Sequence, residues 1–202
     1  MTLDELELDA LIEIFNLGVG QAAHALSQIA GEEVLLSVPQ VTMESKLQVA
    51  AQMDAQGCHR LCAVRQSFDG LFASDAMLMF PVDQSLLLVQ MMVGSDIPLE
   101  QLSEMEQEAL AEVGNILLNA VVGSMADLLK VQFEGSLPQV ELGSPSDVLC
   151  ADQDLDGRVL NLQIDFEIAS REILGYLIFM LDIDSTELLK RRLVTFIQGE
   201  LG

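Results

Sequence analysis

Residues 10–16 read Ala-Leu-Ile-Glu-Ile-Phe-Asn and residues 109–115 read Ala-Leu-Ala-Glu-Val-Gly-Asn, so the pattern Ala-Leu-x-Glu-x-x-Asn occurs twice, 99 positions apart. The same shift carries Pro39-Gln40-Val41 onto Pro138-Gln139-Val140, and with two residues of slippage Met79 and Asp83 meet Met180 and Asp184. The chain has only four asparagines and five prolines, so coincidence of Glu, Asn and Pro at one shift is improbable. The pattern is read as an internal duplication, with repeats of about 1–98 and 99–202 forming a single domain.

Around each copy the periodicity is helical. Thr2-x-x-Glu5 and Ser103-x-x-Glu106 have the form of capping boxes, and apolar residues then recur at helical spacing to about Ile29, before Gly31, and to about Leu129. Strands are predicted at roughly 33–38, 59–68 and 71–80, with Asp69-Gly70 as a hairpin turn. Arg158 to Ile168 alternates cleanly, predicting a strand with one wet face after the turn Asp156-Gly157, and Ile173 to Leu181 is apolar enough for a central strand. Shorter helices are predicted from Asp83 to about Val93 and from Asp184 to about Ile197. The fold class is therefore α+β, in which helix, strands and helix occur in that order twice.

Residues three and four apart share a helix face. Asp9, Glu13, Asn16, Gly20, His24 and Ser27 form one polar stripe, and Glu104, Glu108, Glu112, Asn115, Asn119 and Gly123 form the other. Any amphipathic helix has a solvated face, but these two kept Glu and Asn while most neighbouring positions changed. A carboxamide offers one acceptor and two donors in a plane, so it can hold a water in a fixed direction without acting as a base. A carboxylate one turn away can meet a partner's lysine or arginine. Neither stripe has Glu-x-x-His or a nucleophile beside a base, which argues against di-metal chemistry and covalent hydrolysis.

Composition narrows the partners. Thirty-two acidic and nine basic residues give a net charge of −23, while half the residues are hydrophobic and the mean hydropathy is +0.38. Such a chain can form a core beneath an acidic coat, unlike a disordered polyanion, and its field disfavours nucleic acid and anionic lipid. Lys190-Arg191-Arg192 is the one basic cluster and is read as a helix C-terminal turn. Cys58-His59-x-x-Cys62 lacks the second ligand pair of a structural zinc site, so no metal is assigned, and three cysteines without framework spacing fit a reducing cytoplasm. The acidic start is unlike a signal peptide, and no apolar run is expected to approach the roughly 20 residues of a membrane span. Gly18-x-Gly20-x-x-Ala23 imitates a dinucleotide fingerprint, but it lies inside a helix and Pro39-Gln40 stand where the acidic residue is needed.

Residues 8–27 and 108–119 resemble the two signature helices of the CheC family, which with CheX and FliY comprises chemotaxis phosphatases acting on the response regulator CheY. The family pattern is Asp or Ser, three residues, Glu, two residues, Asn, twenty-two residues, Pro. Asp9, Glu13, Asn16 and Pro39 fit it, as do Glu112, Asn115 and Pro138; Glu108 stands where Asp or Ser is usual, and Phe15 stands where Gly114 has the common glycine. The resemblance implies two pseudo-symmetric halves sharing a mostly antiparallel sheet. It implies that Asn16 and Asn115 orient a water towards the aspartyl phosphate of CheY, and that Glu13 and Glu112 pair with the regulator's lysine. Asp9, Glu108, Pro39 and Pro138 would complete the docking motif, with Mg²⁺ supplied by the regulator and no cofactor held by this chain. The alternative that the resemblance allows is a weakly catalytic or non-catalytic binding module of the chemotaxis or flagellar switch system, with the deamidase CheD as partner. FliY-like switch components normally carry a further C-terminal rotor domain, so the length of this chain favours the phosphatase.

Overall fold

The computed structural model describes residues 3–70, 74–93, 104–151, 157–168, 171–181 and 183–199. Its elements are α1 (Glu5–Ala30), β1 (Val34–Ser45), α2 (Lys46–Ala55), β2 (Leu61–Gly70), β3 (Ser74–Pro81), α3 (Val82–Val93), α4 (Glu104–Leu129), β4 (Phe133–Gly135), β5 (Gln139–Gly143), α5 (Pro145–Leu149), β6 (Arg158–Ile168), β7 (Arg171–Leu181) and α6 (Ile183–Ile197). The 99-residue shift places α1 on α4 at both ends, and β1 on β4 and β5 together. Even the helix stops correspond: Gly31 takes φ 70°, and Lys130, at the equivalent position, takes φ 53°. Glycine reaches this left-handed region without steric cost, whereas lysine does so under strain.

All seven strands form one antiparallel sheet in the order β1-β6-β7-β3-β2-β4, with β5 also paired to β2. Exchanging the strands of the two halves reverses this order onto itself. The first strand of each half lies beside the second strand of the other half: β1 pairs β6, while β4 and β5 pair β2. Each half therefore lends an outer strand to the other.

The sheet separates two cores. Alternation sends Leu160, Leu162, Ile164 and Phe166 of β6 and Leu78 and Phe80 of β3 to the face covered by α1, α3, α4 and α6. Ala63, Met77, Met79, Tyr176 and Ile178 face the other way, under α2 and α5. Coverage on both faces explains the apolar run of β7, and the single core face of β6 explains its alternation. Burial also holds a proton on one group of each face, pushing the Cys62 thiol of the first and the Tyr176 phenol of the second each up to about 12.

Several boundaries differ from the sequence reading. The α1 capping box is Asp4 with Glu7, whose reciprocal bonds measure 2.8 and 2.9 Å, in place of Thr2 with Glu5. Asp is the stronger cap, and its carboxylate faces the positive helix end. Thr2, Ser103 and Asp156 lie outside the described residues. Asp69 and Gly70 are strand residues paired with Glu134 and Phe133, and the connection to β3 lies outside the described residues. Strand β1 continues to Ser45, because Pro39 is absorbed by a bulge: Val38 and Pro39 oppose Ile164 between the pairs Ser37–Asp165 and Gln40–Gln163. Lys190, Arg191 and Arg192 lie inside α6, not in its last turn. Lys190 reaches the buried Glu7 at 3.1 Å and ties α6 to the start of α1, while Arg191 meets Glu187 at 3.6 Å within α6. The stretch Gln107–Leu129 is long and apolar enough to cross a membrane by length and composition, although Glu108, Glu112 and Asp127 interrupt it. In the fold it packs on α1 and the sheet, with half of its most apolar window buried.

Candidate functional site

The two signature helices pack together on the main core. A Cβ on Gly18 would stand 2.6 Å from the Val121 Cα, so glycine sets the closeness of α1 to α4, whereas Gly20 has open space around it. The fingerprint-like glycines thus serve helix packing and an exposed face. At the sheet, Gly114 admits Val64, whose Cγ1 would lie 2.5 Å from a Cβ there. The corresponding Phe15 is fully buried and stacks on Phe179 with ring centroids 5.6 Å apart. The departure at Phe15 is accommodated by the core and leaves the outer face of α1 intact.

The predicted stripes lie where their spacing puts them. Asp9, Glu13, Gly20 and His24 are exposed on α1; Glu104, Glu108, Glu112, Asn119 and Gly123 are exposed on α4; Asn16 and Asn115 are half-buried. Glu13 and Glu112 make no ion pair among the described residues. Exposed apolar side chains lie next to the motif residues: Leu17 follows Asn16 at 52% exposure and Leu137 precedes Pro138 at 86%. Cys58 and Cys62 are buried thiols and His59 meets Asp54, so the Cys-His-x-x-Cys segment is part of the fold. Among the described residues no group of three or more His, Cys, Asp or Glu is placed to hold a metal ion.

The two amides are used differently. Asn16 Oδ1 accepts from the Val38 N–H at 2.9 Å, while its Nδ2 donates to the carbonyls of Ile12 at 2.9 Å and Val38 at 3.2 Å. The main chain dictates this orientation, since only an oxygen can face an N–H and only a nitrogen can face two carbonyls. Asn16 therefore clips α1 to the β1 bulge beside Pro39 and uses both its hydrogens doing so. In the second half the corresponding bend is held from the sheet. Gln66 Nε2 donates to the Ser136 carbonyl at 2.7 Å and the Ser136 N–H donates to Ser67 O at 2.8 Å. Asn115 is relieved of that task. Its Oδ1 accepts from Asn119 Nδ2 at 2.7 Å, and its own Nδ2 meets no acceptor among the described residues.

Comparison with known proteins finds relatives in sequence and in fold. No family model matches the chain. It is 27% identical over 143 residues to the CheY-P phosphatase CheC of Bacillus subtilis, covering 69% of this chain and 68% of that protein. It is 23% identical over 181 residues to the flagellar motor switch phosphatase FliY of the same organism, covering 89% of this chain but only 47% of FliY. In sequence the chain is similar to CheC and FliY, and in fold to FliY. The structure of Thermotoga maritima FliY superposes with a TM-score of 0.81 at 21% identity, covering 97% of this chain and all of that one. The CheX of a CheX–CheY–BeF₃–Mg²⁺ complex from Borrelia burgdorferi shares the fold more loosely, with a TM-score of 0.52 at 14% identity over 84% of this chain and 96% of that one. Sequence reasoning located the CheC-type Glu and Asn pairs, but not Val38, which restrains one amide, or the part played by Asn119 in restraining the other. For Val38 no local signal exists, because the contact joins residues 22 apart through the fold. For Asn119 the signal was an amide four residues after an amide on one helix face.

Proposed function

We propose that the chain is a phosphatase for the aspartyl phosphate of a CheY-type response regulator, with Glu112 and Asn115 as its principal site. The observation that carries this reading is the exposed Glu112 beside an Asn115 carboxamide whose N–H groups are not used by the fold. A relative named CheY-P phosphatase CheC supports the substrate class, and one named flagellar motor switch phosphatase FliY supports the reaction. An acyl phosphate is already activated, and a regulator brings its own Mg²⁺, so the missing element is a water held in line with the phosphorus. Asn115 supplies two N–H donors and the second lone pair of Oδ1 in one plane to hold it. Glu112, one turn earlier, pairs with the regulator's lysine and sets the approach; Glu108 adds charge beside it, and Leu137 with Pro138 offers apolar contact. A hundredfold acceleration needs only about 2.7 kcal/mol off the barrier, which lies within reach of one oriented amide.

The first half favours a second, non-hydrolytic reading. Glu13 and Asp9 remain exposed for docking while the hydrogens of Asn16 are spent on Val38 and Ile12. That half binds a partner without turnover, and CheD is the candidate suggested by the family resemblance. The test is phosphate release from phosphorylated CheY with Mg²⁺, run beside a pull-down with CheD. Acceleration by the wild type and its loss in Asn115→Ala support the assignment; binding with no acceleration by the wild type refutes it.

A further inference from the structure

We propose that Asn119 is the positioning residue of the second site, holding the Asn115 carboxamide in the one orientation that turns its N–H groups outward. This rests on the phosphatase reading and adds a residue to it. Asn119 Nδ2 donates at 2.7 Å to both the main-chain oxygen and Oδ1 of Asn115. Because the first of these acceptors is a backbone carbonyl, the Asn119 atom facing it must be nitrogen. The Asn115 atom facing the same nitrogen must then be oxygen, and its Nδ2 is directed away. A terminal amide rotates in a broad, two-fold well, so without this partner the exposed edge of Asn115 would exchange N–H for C=O.

The other half shows that the task needs a partner in each case. The position equivalent to Asn119 is Gly20, with nothing near it, and there the Val38 N–H fixes the Asn16 oxygen instead. Asn119 lies near Gly135, where an added Cβ would stand 3.4 Å from its Oδ1. It therefore sits between the reacting amide and the strand end that leads to Pro138. The duplication has kept the restraint on Oδ1 while changing its source, from backbone to side chain, and only the side-chain source leaves the N–H groups available.

The experiment is steady-state release of phosphate from phosphorylated CheY by the full chain carrying Asn119→Ala, Asn119→Asp, Asn115→Ala or Asn115→Ala with Asn119→Ala. Asp keeps the shape of Asn but has no N–H to give. Both single Asn119 variants should lower kcat by about three- to tenfold with KM within about twofold, which is the effect of losing one orienting hydrogen bond. Thermal midpoints should stay near the wild-type value because Asn119 is exposed. In the Asn115→Ala background, Asn119→Ala should cause no further loss, since the amide it orients is gone. An unchanged kcat in both single variants, a rise in KM alone, or losses that add in the double variant would overturn the role of Asn119 while leaving the phosphatase reading intact. A wild-type chain that does not accelerate the reaction would overturn both.

Discussion

Replacing Asn16 by alanine should destabilise the protein, and replacing Asn115 should do so much less. Val38 is 1% exposed and sits in a bulge, where its amides do not continue the regular ladder. Asn16 satisfies its N–H at 2.9 Å and its C=O at 3.2 Å. A buried donor left unpaired costs about 1–3 kcal/mol, and the longer bond to the carbonyl adds up to about 1 kcal/mol. The bond to Ile12 contributes little, because that oxygen already belongs to the helix. The expected loss is therefore about 1–4 kcal/mol, equivalent to a fall in Tm of about 3–12 °C for a chain of this size. Asn115→Ala removes one bond between half-buried and exposed amides, worth about 0.5–1 kcal/mol and a shift of at most about 3 °C. Thermal unfolding followed by circular dichroism, supported by urea midpoints, measures the difference. Equal midpoints for the two variants would refute the assignment of Asn16 as a clip between α1 and β1. An activity loss in Asn16→Ala has to be corrected for the fraction folded before it is assigned to chemistry.

Other consequences follow from packing, titration and charge. Gly18→Ala should lower stability by about 1–3 kcal/mol, because its Cβ meets the backbone of Val121, whereas Gly20→Ala should raise it by up to about 1 kcal/mol on an open helix face; urea midpoints check both. Stability should fall as pH rises above about 9, because the unfolded chain ionises Cys62 near 9.0 and Tyr176 near 10.0 while burial holds both folded groups protonated up to about 12. That loss accumulates from pH 9 to about 12, is absent below pH 8, and should shrink in Cys62→Ala with Tyr176→Phe. A net charge of −23 meeting a regulator acidic around its phosphate leaves a few local pairs, such as Glu112 with lysine, to hold the complex. Added salt should weaken association less than for oppositely charged proteins, and titration calorimetry at 50 and 300 mM salt would contradict this with a steep loss of affinity.

The long helices were legible because 26 residues of apolar periodicity, closed by Gly31 in the first half, leave little choice of conformation. The repeat was legible because rare residues mark it. Helices α2 and α5 were not seen, since ten and five residues of weak amphipathicity give no period to read. The strand expected at roughly 33–38 stops short of Pro39, which cannot donate to a ladder, yet a bulge accommodates it and the strand runs on to Ser45. The same locality limits the site. Periodicity puts Glu13 with Asn16 and Glu112 with Asn115, but it treats the copies as equals. Their difference comes from what lies across the fold, Val38 against Asn16 and the Gln66-held turn away from Asn115, and from the exchange of Gly20 for Asn119. A duplicated motif marks two equivalent positions, and the surroundings decide which amide keeps N–H groups unused by the fold.

The central claim is that the Asn115 carboxamide orients the attacking water. Its most direct test is the single-turnover rate of phosphate loss from phosphorylated CheY, with Mg²⁺ present and the chain in excess, for the wild type and Asn115→Ala. The account predicts that the wild type shortens the lifetime of the phosphate, and that Asn115→Ala loses at least about nine-tenths of that acceleration, about 1.4 kcal/mol or more, while remaining folded. An Asn115→Ala protein that dephosphorylates CheY at the wild-type rate would contradict it.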